Sequence, residues 1–319
     1  MNQQSFESRY SSLWNDIEST LESKDIDASA DFPSRYRQIC QHLAIAKHRR
    51  YSPNLVEKLN RLVLNSHHHL YGHRTSRERQ WIDFFTYGFP TVLRKRAAFV
   101  WVSAALFLLP LISMVVLCNV DDEVIYSVIA AENVREFESM YNPAARTLGK
   151  QRSSDSDIMM FGYYINNNIG ISFQVFATGI LFGIGSAFYL LYNGLVIGAV
   201  TGHMAHIGYH DTFFPFVIGH GAFELTAIIF SGAAGLMLGY SLIAPGQRSR
   251  LSALKLAGQE AVKIIYGSTI MLLIAAFIEA FWSSSTDLQP SVKYTVGAAL
   301  WVLVIAYILL AGRGRSREP

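Results

Sequence analysis

Four side chains in the apolar second half of the sequence could do chemistry: His203, His206, His220 and Glu224. His220 and Glu224 stand four apart in IGHGAFELTAI, and so share one face of a helix. His203 and His206 stand three apart, with His210 one turn further on. Imidazole and carboxylate are zinc ligands, and this spacing puts ligands on one side of a helix. The same groups would suit a proton, ion or substrate path, because ionisable residues at membrane depth are functional candidates by default. A third reading is structural: Glu224 is a protonated carboxyl hydrogen-bonded across helices, with His220 as its neighbour. The spacing leaves all three open, and the metal stays unknown, with zinc as the candidate. Asn166, Asn167, Asn168, Gln174 and Asn193 supply further polar groups nearby.

Several chemistries are excluded. His-Glu-x-x-His is absent, no span holds adjacent glutamates, and Ile184 takes the place of glycine two before Ser186 in GIGSA, so a rhomboid-like serine site is incomplete. No phosphate-cradling glycine loop precedes a helix, which removes nucleotide hydrolysis. His67, His68 and His69 point about 100° apart on a helix and cannot chelate together; of that group only His69 and His73 share a face.

The elements that must hold the His/Glu set are read from apolar runs. The chain has 319 residues, 51% hydrophobic and 16% charged, with a net charge of +3. This predicts an all-α fold: a polytopic helical bundle of about six transmembrane helices behind an N-terminal cytoplasmic helical domain. Residues 1–96 form that domain. Tyr10, Leu13, Trp14, Ile17 and Leu21 recur at helical spacing, Pro33 and Pro53 open further helices, and an interfacial helix follows from about Ser76 to Arg96. Residues 97–118 are 22 residues without a charge and make the first span, kinked at Pro110. Arg94, Lys95 and Arg96 precede it and Asp121, Asp122 and Glu123 follow, which keeps the N-terminal side inside.

Residues 119–167, with 4 Lys/Arg against 8 Asp/Glu, form an extracytoplasmic segment with short amphipathic helices around 124–131 and 133–141. Residues 168–311 hold the five remaining spans. The second and third, at about 169–191 and 194–207, meet at a hairpin at Tyr192-Asn193, and His210–Ile218 is a possible re-entrant segment. The fourth is Gly219–Ile243, the fifth about Val262–Trp282 and the sixth about Val292–Ala311, with Glu279 reaching headgroups or Lys293. Residues 312–319 are a basic cytoplasmic tail. The N-terminus lacks the basic and apolar regions of a cleaved signal peptide, and Cys40 and Cys118 lie toward opposite sides, so no disulfide is expected.

Of the 23 glycines, 15 lie between Gly162 and Gly246. Gly179 and Gly183, Gly235 and Gly239, and the run Gly194, Gly198, Gly202 are small-residue faces that let membrane helices approach closely. Most should pack inside the bundle, with one left for a homodimer. The basic N-terminal region suits anionic lipid or protein rather than nucleic acid.

In IGHGAFELTAI, the core His220, Gly221, Glu224, Leu225 and the following SGAAG are similar to the signature of the stage II sporulation protein M family. Trp14, FPSRYRQICQHLAIAK and LVEKLNRLVLNSHHHLYG resemble its bacterial branch. That resemblance implies a bacterial inner-membrane protein. It also implies a scaffold for envelope proteins, since the endospore-forming member acts with peptidoglycan-processing partners. A non-enzymatic scaffold is therefore the expected function. The alternative is a transporter, channel or metal-dependent membrane hydrolase built on the His/Glu set.

Overall fold

The computed structural model describes residues 2–22, 31–71, 77–144, 157–285 and 288–313, and it divides into two compact units, 1–80 and 81–319. All regular structure among the described residues is helical.

The first unit contains α1 (Gln3–Glu22), α2 (Phe32–His48) and α3 (Pro53–Tyr71). Their apolar faces bury Phe6, Trp14, Ile17, Ile39, Leu43, Leu55 and Leu59 in one core. A polar pair inside it is fully matched: Trp14 Nε1 donates to His42 Nδ1 at 3.1 Å. Burial holds the His42 pKa below its ordinary 6.5, so the ring stays a neutral acceptor. Gln3 staples α1 to the start of α3 through Ser52, whose backbone N–H donates to Gln3 Oε1 at 2.9 Å. The neighbouring histidines pack as rings, His69 on Phe32 and His67 on Tyr36; His73 lies outside the described residues, as do Arg315 and Arg317.

The second unit starts within α4 (Arg77–Asp83) and continues through a π-helical turn over Phe84–Gly88 and α5 (Phe89–Lys95). Phe89, Val92 and Leu93 are buried with Phe230, Ile264 and Leu272. The division therefore falls after Gln80 and not at 96, because these side chains belong to the membrane core. Trp81 and Ile82 stay exposed.

The bundle proper comprises α6 (Ala97–Val120), α8 (Asp157–Ala177), α9 (Ile184–His206), α10 (His210–Ile243), α11 (Arg250–Phe277) and α12 (Pro290–Leu310). Between α6 and α8 stand a 3-10 turn, Asp122–Ser127, and the short α7 (Ala131–Tyr141). Among the described residues, five helices are long and apolar enough to cross a membrane: α6, α9, α10, α11 with its extension to Ser283, and α12. The expected second span, about 169–191, is not one helix: its first part lies in α8, which packs in the same bundle, but Tyr163, Tyr164 and Asn166 to Asn168 make α8 too polar to count with them. Helix α10, 34 residues long, is the most enclosed, and α6 and α12 are the most open to lipid.

Two expectations give way. No hairpin forms at Tyr192-Asn193, through which α9 runs unbroken. The reversal comes earlier, over Thr178–Gly183, where Phe182 (φ 53) and Gly183 (φ 83) take the left-handed backbone region. Continuous hydrophobicity hid this turn, because a glycine corner packed against another helix needs no polar residues. Nor is His210–Ile218 re-entrant: it is the first part of α10, which passes through Pro215.

The glycines explain how close the helices come. A Cβ on Gly194, Gly198 or Gly202 would strike the carbonyls of Phe107, Leu111 and Val115, four apart on α6. Gly179 faces Gly235 backbone to backbone, and Gly183 faces Gly239. Serines tie the same seams: Ser103 Oγ donates to Ile229 O at 2.6 Å, and Ser186 Oγ to Val175 O at 2.6 Å. All seven packing glycines are thus used within the chain.

Candidate functional site

Helix α10 turns His220 and Glu224 into the bundle, where they meet a third ionisable group, Glu279, from α11. One ligand atom from each lies within 4.8 Å of the others. The end of α11 makes this possible. Over Ile278–Ser283 the helix widens into a π-helical turn, a form common at functional sites. That turn carries both Glu279 and Ser283. Ser283 Oγ is 3.2 Å from His220 Nδ1, and His220 Nε2 is 3.9 Å from Glu224 Oε2. Gly219 lets the two helices close, since a side chain there would press on the Trp282 ring.

Glu279 neither reaches headgroups nor pairs with Lys293, as the sequence suggests. It is buried, 9% exposed. Lys293 is buried too and donates from Nζ to Ser283 O and Ser285 O, each at 2.7 Å. The carbonyls freed where the π-helical turn ends claim the ammonium instead.

The three groups face a cavity of about 370 Å³. Asn167 and Asn168 of α8 and Asn193 and Thr201 of α9 add polar wall, while Ile171, Ile197, Leu225 and Ile228 line its apolar part. Beyond Ile228 the bundle packs closely: Ser172 and Ser231 bond one another, and the glycine seams begin. Phe137, Met140 and Tyr141 of α7 close over the chamber. Tyr141 stacks edge-on against Phe213 at 4.9 Å and Phe216 at 5.4 Å, and its carbonyl accepts from Thr212 Oγ1 at 2.6 Å. Burial, then the nearby Glu279, Tyr164 and Glu224, push the Tyr141 hydroxyl far above its usual range, so it stays a neutral donor.

The two histidines of α9 are placed elsewhere. His203 is buried, with Nε2 at 2.9 Å from Glu138 Oε1 of α7, and His206 Nδ1 is 2.9 Å from Asn119 O at the end of α6. His203 thus fastens α7 onto α9, and His206 fastens the end of α6 to it. His210 is exposed and stacks on Phe214. Among the described residues the group close enough to share an ion is His220, Glu224 and Glu279.

Chemically this is an acidic centre with one imidazole. Two carboxylates within 4.8 Å repel by about 3 kcal/mol at an effective dielectric near 20. A shared proton or a cation must offset that repulsion.

The stage II sporulation protein M family model matches residues 97–284, more than half of the chain. The chain belongs to that family. Its match spans α6 to the π-helical turn, so it contains the chamber and every member of the ionisable trio. A second model, a domain of unknown function (DUF8413), matches residues 4–72, the first unit. The chain is also similar to an uncharacterised protein of Methanocaldococcus jannaschii, 26% identical over 125 residues, or 38% of this chain and 69% of that one. No solved structure matches.

Within this family member, sequence spacing found His220 and Glu224 because both lie on one helix. It missed Glu279, whose partners come from a different helix, and Glu138. The available signal was Glu279 itself, an acid at the apolar end of α11.

Proposed function

We propose that this stage II sporulation protein M family member is a multi-pass protein of the bacterial cytoplasmic membrane with both termini inside, and that it binds a polar ligand in the chamber at the outer side of its bundle. The observation that carries this reading is the convergence of His220, Glu224 and Glu279 on a half-open cavity whose far end is closed by apolar side chains and glycine seams. A chamber bounded in this way at its far end favours binding, or hydrolysis, over a channel or a transport path. The orientation is supported by the basic groups at the other end: Lys95 and Arg96 pair with Glu260 at 2.6 Å each, and Arg94 reaches Ile308 O.

The test is accessibility. With Cys40 and Cys118 replaced, Thr201→Cys should react with a membrane-impermeant maleimide from the outer face of spheroplasts and not in inside-out vesicles. Labelling from the inner face, or from neither, rejects the reading.

A second reading is a scaffold of an envelope assembly, with peptidoglycan-processing proteins as candidate partners. It is favoured by the first unit, which has its own core and its own family match. Co-purification from native membranes should recover an envelope protein with the full chain; recovery of the chain alone in mild detergent counts against it. Because all seven glycines are engaged internally, a homodimer would have to use a lipid-facing helix surface such as that of α6 or α12. The exposed Trp81 and Ile82 suit contact with lipid headgroups.

A further inference from the structure

We infer that His220, Glu224 and Glu279 form a binding site for a divalent transition-metal ion of the zinc class. The inference rests on the chamber reading and names its occupant.

The first support is the donor set. One nitrogen and two carboxylates, on two helices, place their ligand atoms within 4.8 Å of one another. The 3.9 Å between His220 Nε2 and Glu224 Oε2 is too long for a hydrogen bond, yet two ligands at about 2.0–2.2 Å from one ion can stand that far apart. An imidazole among the donors favours zinc, copper, iron or nickel over calcium, magnesium or manganese.

The second support is orientation. His220 Nδ1 lies 3.2 Å from Ser283 Oγ, and in the tautomer protonated at Nδ1 the lone pair of Nε2 is turned toward Glu224. A second partner on the far ring nitrogen is how metal-binding imidazoles are held. Ser283 is therefore a positioning residue.

The third support is an unmet need. Glu279 Oε2 and Asn168 Nδ2 are buried with no partner within hydrogen-bond distance, although the two side chains lie close enough to act on one another, and both residues line the chamber. Glu279 is 9% exposed, and among the described residues no lysine or arginine pairs with it or with Glu224. Lys293, the partner the sequence offers for Glu279, is committed to two carbonyls. A bound cation would neutralise the two acids where burial makes their charge costly.

The experiment uses untagged full-length protein in detergent, stripped with a chelator and titrated with Zn2+ and with Co2+. Saturable, stoichiometric uptake is expected, with visible Co2+ bands of a low-coordinate site. Glu279→Gln should weaken Zn2+ binding about 100-fold or more, and Ser283→Ala about 10- to 100-fold. His203→Gln should leave it unchanged, because that ring pairs with Glu138. Thermal melts of metal-free variants separate lost binding from lost folding; should Glu279→Gln misfold, Ser283→Ala decides. No saturable uptake by the unmodified chain, or uptake unaltered in both variants, overturns the site and leaves a shared proton as the bond between the acids. Outer-face labelling of Thr201→Cys without Zn2+ uptake would reject the metal and keep the chamber; Zn2+ uptake without labelling would do the reverse.

Discussion

One face of α9 carries Gly194, Gly198 and Gly202 against the carbonyls of α6, while another turns Asn193, Val196, Val200 and Thr201 toward the chamber. The first has no room for a methyl group and leaves no polar side chain to satisfy. The second leaves about 370 Å³ and borders buried atoms with no partner within hydrogen-bond distance, among them Glu279 Oε2 and Asn168 Nδ2. In lipid, helices gain little by hiding apolar surface from one another, so adhesion comes from close backbone packing. The seam therefore fixes the bundle and the chamber is free to hold costly groups. The same division runs along α10, with Gly235 and Gly239 in the seam and His220 and Glu224 in the chamber.

Breaking the seam should have the largest effect. Gly198→Ala sets a methyl against the Leu111 carbonyl, so α6 and α9 must part. A loss of about 3 kcal/mol, the upper range for overpacking, is expected in detergent unfolding titrations. Gly170→Ala is the matched control: nothing lies within 4 Å of its added carbon, and the better helix propensity should leave stability equal or higher by up to about 1 kcal/mol. Equal losses in the two variants would erase the distinction between seam and open helix surface.

The chamber wall should fail for a different reason. Lys293→Met keeps the apolar stem and removes the ammonium, leaving Ser283 O and Ser285 O without their donor. The cost should be about 2 kcal/mol, with Zn2+ binding weakened as Ser283 loses its place. A neutral outcome would mean that water replaces the ammonium and that this end of the bundle is wetter than its burial suggests.

Sequence alone exposed these two regions unequally. Helical content, the first and the last three membrane spans, and the family could be read from apolar runs and from His220, Gly221, Glu224 and Leu225. Pairing could not. A glycine run says that something packs closely there, but Phe107, Leu111 and Val115 offer only backbone carbonyls, which leave no trace in residue type. The turn at Thr178–Gly183 was hidden for the same reason, as its corner is built from glycine contacts. Around the chamber, His203 looked like a partner of His220 because spans three and four are adjacent; its ring instead meets Glu138, and Glu279 fills the vacated role.

The first unit supplies a control in which burial of an imidazole acts without lipid or neighbouring acids. His42 must accept from Trp14 Nε1, and burial lowers its pKa below 6.5. The unfolded chain therefore takes up the proton first as pH falls. Stability of this unit should be complete above about pH 6.5 and decline as pH drops toward the lowered folded value. Hydrogen exchange at amides of α1 to α3 in the full chain, corrected for intrinsic rates, should show the decline, and His42→Gln should flatten it. A steeper profile in the variant would assign the titration to other groups.

The smallest expected effect tests whether α7 covers the chamber as a separable piece. Glu138→Gln keeps the shape of the side chain and weakens its contact with His203 Nε2. Glu138 is about a third exposed, at 36%, so solvent screens the contact, and the loss should be only about 0.5 kcal/mol. The aromatic grip of Tyr141 on Phe213 and Phe216 and the Thr212 bond should hold α7 in place on average. Its opening should become more frequent all the same, because fewer contacts must break together. Outer-face maleimide labelling of Thr201→Cys should then quicken about twofold, as expected for 0.5 kcal/mol, while the melting temperature barely moves. An unchanged labelling rate would mean that ligands enter between helices rather than beneath α7, and the cover would belong with the seam.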